Sequence, residues 1–152
     1  MKEQHEKYVN ILRALVNCDG EAIINNQAEI SKEKHGLLIE DEEANKVLLL
    51  VKERGEEIQI LVYDVWLPLQ DFESRSKDDD KLRLFRYFCA IINLCADLCL
   101  DRNLTAIIPL QSIYPFQVCY NIIRMKNYNM KLSHAFTRLI TTLWIDKDFI
   151  KF

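Results

Sequence analysis

The chain has 152 residues, of which three are Gly and three are Pro, about 2% each against averages of roughly 7% and 5%. So few turn-formers disfavour sandwiches, barrels and other folds built on many tight turns. Net charge is −3, from 20 Lys and Arg against 23 Asp and Glu, which leaves no basic excess for phosphate backbones and argues against nucleic acid as a partner.

The apolar share of 49% and charged share of 28% are ordinary for one globular domain. Residues 1–6 are polar, with no signal-peptide stretch behind them. Over residues 7–16, Tyr8, Ile11, Leu12, Leu15 and Val16 recur at spacings of three and four, which predicts a helix with that apolar face. Gly20 is its expected stop. A shorter helix is expected over 22–32, with Ile23 and Ile30 on one face.

Two acidic runs, 40–43 and 78–80, bracket a region of different character. Stretches 46–51 and 58–65 are rich in Val, Leu and Ile, and Arg54-Gly55 lies between them, which predicts a β-hairpin. Pro68 bars a helix from running through it, and the charged link to Asp80 is expected to be exposed.

Residues 81–100 carry apolar side chains on nearly every face, the mark of a buried central helix. The longest uninterrupted apolar run, 87–92, is far short of the ~20 residues of a membrane span. Asp101 or Asn103 is expected to cap a following helix that includes Leu104, Ile107 and Ile108 and is limited by Pro109. Pro115 suits the first turn of another, carrying Val118, Cys119 and Ile122. Asn127 to Asn129 form a polar break, and a last helix over 131–143 aligns Leu132, Phe136, Leu139, Ile140 and Leu143. The expected fold is mainly α: an armadillo-like helical solenoid or bundle, one domain over 1–152, with a hairpin and linker insertion at about 40–80.

No catalytic apparatus emerges. Cys95 and Cys99 lie four apart but lack the second ligand pair that zinc needs, so they read as buried core thiols, like Cys89 and Cys119. Free thiols of that kind suit a reducing compartment. His134 follows Ser133, with Cys119 upstream, yet no Gly-rich nucleophile turn accompanies them, and a helix-surface His is the expectation. Asp78-Asp79-Asp80 lacks the Gly and Glu of a calcium loop and reads as solvated charge. Phosphate-binding glycine patterns are absent too. Trp66, Tyr87 and Trp144 read as packing aromatics, since no basic stripe accompanies them. No metal, cofactor or enzymatic role is expected.

At Cys99-Leu100-Asp101-Arg102, followed by Ala106-Ile107, the chain resembles the inositol trisphosphate receptor and ryanodine receptor family, in its cytosolic helical RIH domain, and is most similar to the inositol trisphosphate receptors. Phe136-Thr137-Arg138-Leu139, then Asp146-Lys147-Asp148, and upstream Asn26-Gln27-Ala28-Glu29-Ile30, resemble further family segments in the same order. Lys147 and Phe149 depart from the Arg and Pro common there. The resemblance implies a non-enzymatic coupling or scaffold domain of a homotetrameric calcium-release channel. Such a domain lies on the cytosolic face of the endoplasmic or sarcoplasmic reticulum membrane and relays conformational change towards the pore. Its partners would be the other domains and subunits of the channel, with no span and no direct small-molecule ligand in this chain. Gln27, Ile30, Cys99, Leu100, Asp101, Arg102, Phe136, Arg138, Leu139, Asp146 and Asp148 would be architectural. Arg102 and Arg138 are expected to pair with Asp101 or Asp146. The alternatives are a ryanodine receptor fragment, a free-standing helical adaptor for protein partners, or a ligand-binding domain with Lys and Arg converging in a concave site.

Overall fold

The structure, a computed structural model, describes residues 5–31, 48–55, 57–72, 79–125 and 129–146. Its axis is the helix expected from the all-round apolar stretch, Asp79–Leu98, here α3. Thirteen of its side chains are buried, from Leu84 to Leu98. The helices before and after it are α1 (Glu6–Val16), α2 (Ile24–Ser31), α4 (Leu104–Ile113), α5 (Phe116–Arg124) and α6 (Met130–Ile140). α3 packs along both α1 and α6, α5 lies on α6, and α2 touches α1 and α4. The chain is therefore mainly helical with a small antiparallel sheet.

That sheet contains the expected hairpin and one strand more. β3 (Val51–Arg54) and β4 (Glu57–Val62) pair across Gly55, whose φ of +65° is a left-handed value that glycine adopts without steric cost. The stretch read as one strand over 58–65 then splits. Tyr63 and Asp64 both take positive φ, 48° and 62°, and turn the chain into β5 (Val65–Pro68). Two positive φ values match the right-handed twist of a two-residue hairpin turn, here without the glycine that usually signals it. Leu48 is buried just before the sheet, whereas Lys46 and Val47 fall outside the described residues. Pro68 ends β5, and a short 3-10 turn, Leu69–Phe72, follows.

Aromatic side chains join this sheet to the helices. Phe72 meets Phe85 and Phe88, Phe88 meets Phe136, and Phe136 meets Tyr114, with centroids 5.9–6.3 Å apart. The buried Tyr114 hydroxyl donates to the Leu49 carbonyl at 2.9 Å, so its polar end is satisfied at the sheet's edge. Trp144 donates its indole N–H to the Tyr114 carbonyl at 3.2 Å, and Tyr87 is buried. Trp66 is half-buried beneath the Lys52 ammonium, 3.7 Å from its ring centre.

Four local expectations need correction. The buried face of α1 is rotated from the expected one: Val16 is buried and Leu12 half-buried as expected, but Val9 joins them, while Tyr8, Ile11 and Leu15 are exposed. That orientation sets Arg13 against α3, where its partner lies. After α1 the chain makes a two-residue hairpin, β1 (Asn17–Cys18) and β2 (Glu21–Ala22), through Asp19 and Gly20, both at positive φ. The stop at Gly20 is thus a turn inside a hairpin. Pro109 does not end its helix: α4 runs on to Ile113. Pro109 has no N–H to give the Thr105 carbonyl, but Thr105 is exposed and water can take that place. Finally, Asp79 and Asp80 are no linker but the first turn of α3, where carboxylates suit the positive end of the helix dipole; Asp78 lies outside the described residues.

The end of the chain follows the reading more closely. Asn129 caps α6, its side chain accepting from the Lys131 N–H at 2.9 Å, and Leu132, Phe136, Leu139, Ile140 and Leu143 are all buried. A π-helical turn, Thr141–Ile145, extends α6.

Candidate functional site

The structure's main concentration of buried polarity lies at the carboxyl end of α3. Asp97 is fully buried there, among apolar neighbours that offer it no hydration. A bare carboxylate in such a place would be strongly unfavourable. Three donors satisfy it, each from a different part of the chain. Arg13 of α1 gives its Nε–H to Oδ2 at 2.8 Å. Arg138 of α6 gives an Nη2–H to Oδ1 at 2.6 Å, and Asn17, at the start of β1, gives its amide to the same oxygen at 3.1 Å. Arg138 uses its other nitrogen on Asn93 Oδ1 at 2.6 Å, one turn earlier on α3. The two arginines remain about a third exposed, 31% and 27%, so their outer faces reach water.

A second layer of hydrogen bonds closes the helix end. The last carbonyls of a helix have no partner within it. Here buried Gln27 of α2 donates its amide to one of them, Asp97 O at 3.0 Å, and to Leu100 O, in the turn that follows, at 3.2 Å. Asn103 donates to the Leu98 carbonyl at 2.9 Å and to the Ser31 hydroxyl at 3.3 Å. It stands at the start of α4, yet its side chain makes no bond to that helix. The expected cap therefore serves the helix before it. Between them, Asp101 and Arg102 take left-handed φ of 55° and 56° in a 3-10 turn, Leu100–Arg102. This region is sterically restricted for residues with a side chain. Arg102 is tied down by donating to the Asp146 carbonyl at 2.8 Å.

The residues singled out in the sequence thus meet here in part. Gln27, Leu100, Arg102, Arg138 and Asp146 belong to the network or its rim. Cys99, Phe136 and Leu139 are buried core beside it, and Ile30 is half-buried against that core. Asp101 is exposed, and Asp148 lies outside the described residues. The expected partners of the arginines are corrected: Arg138 pairs with Asp97, and Arg102 reaches Asp146 through its backbone oxygen, not its carboxylate. The reason is reach and desolvation. Asp97 is the carboxylate that has lost water, so it recruits the guanidinium.

Asp97, Arg13, Asn17 and Asn93 were not anticipated. A signal did exist: from Tyr87 to Leu100, Asp97 is the single charged residue and Asn93, four before it, the single other polar one. That spacing puts both on one stripe of α3.

The arrangement holds three parts of the chain on one carboxylate. All three contacts on the carboxylate come from donors, two guanidinium groups and an amide. Cys119 is buried, its thiol pushed up to about 12 by loss of water, so it is held as the thiol, and its sulfur faces the Tyr114 carbonyl. Cys99 is likewise pushed up to about 12, and burial holds Cys95 well above its ordinary range. His134 is exposed on α6. Among the described residues, no three His, Cys, Asp or Glu side chains gather as a metal site would require, and no helix is long and apolar enough to cross a membrane.

Fold and site together define a mainly helical chain whose α1, β1, α2, α3 and α6 meet at one buried carboxylate and the helix end beside it. No known family model matches the sequence, and no curated protein matches it.

Proposed function

We propose that the chain is a non-enzymatic coupling and scaffold module, of the kind the inositol trisphosphate receptor resemblance implies. In this reading its helices form part of an armadillo-like solenoid on the cytosolic side of an intracellular, ligand-gated calcium-release channel. They carry ligand-induced shifts towards the pore as rigid bodies. The observation that supports it most is the convergence at the carboxyl end of α3. Segments separated by 41 to 84 positions in sequence are locked to one buried carboxylate. A module that transmits displacement needs its helices to move together, and this network resists their sliding apart.

An antibody against this chain provides the test. Detection of a membrane-bound product thousands of residues long, which assembles with copies of itself, is the expected result. A soluble product of this chain's own length, with no channel subunit attached, overturns the reading.

A free-standing helical adaptor is the second reading. It draws on the exposed Ile11 and Leu15 of α1 and Ile24 of α2, apolar side chains that a protein partner could cover. The same antibody experiment separates the two, because an adaptor would come down with soluble proteins.

A further inference from the structure

A groove of about 800 Å³ runs between α1, α3 and α6, on the side of α1 away from Ile11 and Leu15. Its walls carry Arg86 from α3 and Lys131 and His134 from α6, all exposed. None of these three side chains has an ion-pair partner among the described residues. Arg13, at the groove's edge, and Arg138 behind it share the single charge of Asp97, so the clamp itself contributes a further positive charge. Against these stands one acidic wall residue, Glu6. In a chain of net charge −3, this is a local excess of the opposite sign.

The groove also has an apolar part. Leu82 is half-buried, Phe85 buried, and Met130 is 84% exposed at the rim. A pocket for a drug-sized ligand is typically concave and covers most of the ligand's surface. This one is open, and it sets apolar and cationic positions side by side.

We propose that the groove between α1, α3 and α6 docks an acidic amphipathic segment of a protein partner. Its carboxylates face Arg86, Lys131 and His134, and its apolar side chains rest on Leu82 and Met130. Charge complementarity chooses the partner and speeds its arrival, while the apolar contacts hold it. The proposal does not depend on the channel reading, since a partner of either a channel or an adaptor could carry such a segment.

The test uses the whole chain and a short, fluorescein-labelled synthetic helical peptide with Glu along one edge and Leu and Phe along the next. A second peptide has Lys in place of every Glu. Fluorescence anisotropy at low ionic strength is expected to show binding of the Glu peptide in preference to the Lys peptide, weakening as salt is added. Arg86→Glu with Lys131→Glu is expected to weaken the Glu peptide by roughly tenfold or more, as paired charges become opposed ones. Both residues are exposed, so the thermal midpoint should not move. Glu6→Lys is expected to strengthen binding. No binding of the Glu peptide, or equal binding to the wild-type and doubly substituted chains, overturns the proposal. So does tighter capture of a labelled single-stranded oligonucleotide or of tripolyphosphate by the same three residues.

Discussion

The two ends of α3 carry the same kind of ion pair in opposite surroundings. At the amino end, Arg83 meets Asp80 at 2.7 Å, and the carboxylate is 53% exposed. At the carboxyl end, Arg138 meets Asp97 at 2.6 Å, and that carboxylate is fully buried. The lengths are almost equal, but the consequences differ. In water the first pair exchanges solvent contacts for an ionic one at little gain, and side-chain entropy takes part of that. The second carboxylate has no solvent to return to, so each of its donors becomes necessary. The first pair joins residues three apart on one helix, while the second joins helices distant in sequence. Proximity in the folded chain does not rank these contacts; burial and the separation they bridge do.

Substitution at Asp97 should break this contrast most severely. Asp97→Ala leaves Arg13, Arg138 and Asn17 without their common acceptor and opens space in the core. A loss of about 2–4 kcal/mol is expected in urea denaturation, below the upper range for breaking buried pairs because both arginines can turn to water. Arg138→Met keeps the bulk and removes the donor to both Asp97 and Asn93, at a cost of about 1–3 kcal/mol. Combined with Asp97→Asn, it should show a coupling of more than about 1 kcal/mol in a double-mutant cycle. Tyr114→Phe strands the Leu49 carbonyl, and about 1 kcal/mol is expected from the same measurement. Asp80→Asn, at the other end of α3, should change stability by no more than about 0.5 kcal/mol. An effect at Asp80 equal to that at Asp97 would erase the distinction between the two ends.

The elements governed by bulk burial were legible in the sequence. An all-round apolar stretch became the central helix, and the face of α6 was read correctly because Leu132, Phe136, Leu139 and Leu143 meet a core on one side only. The hairpin at Arg54-Gly55 was legible because a glycine marked it. The turn at Tyr63-Asp64 was not, since tertiary pairing of β4 with β5 imposes left-handed φ on residues that give no such sign. α1 shows why periodicity alone misplaces a face. Of the expected stripe, Leu12 and Val16 meet the core, but Tyr8, Ile11 and Leu15 do not: a buried carboxylate on α3 requires Arg13, and α1 is rotated accordingly. The site was half legible. Gln27 and Arg138 were picked out by resemblance, whereas Asp97, on which both converge, stood in plain view as the lone charge in an apolar run.

Hydrogen exchange read by NMR on the intact chain and on its Asp97→Asn variant tests most directly whether α1, α3 and α6 form one unit. In the intact chain, the slowest amides of the three helices should open with a common free energy. In the variant, α1 should open separately and earlier, while the middle of α3 keeps its protection. If α1 already exchanges on its own in the intact chain, and Asp97→Asn leaves its rates unchanged, then the buried carboxylate does not join the helices.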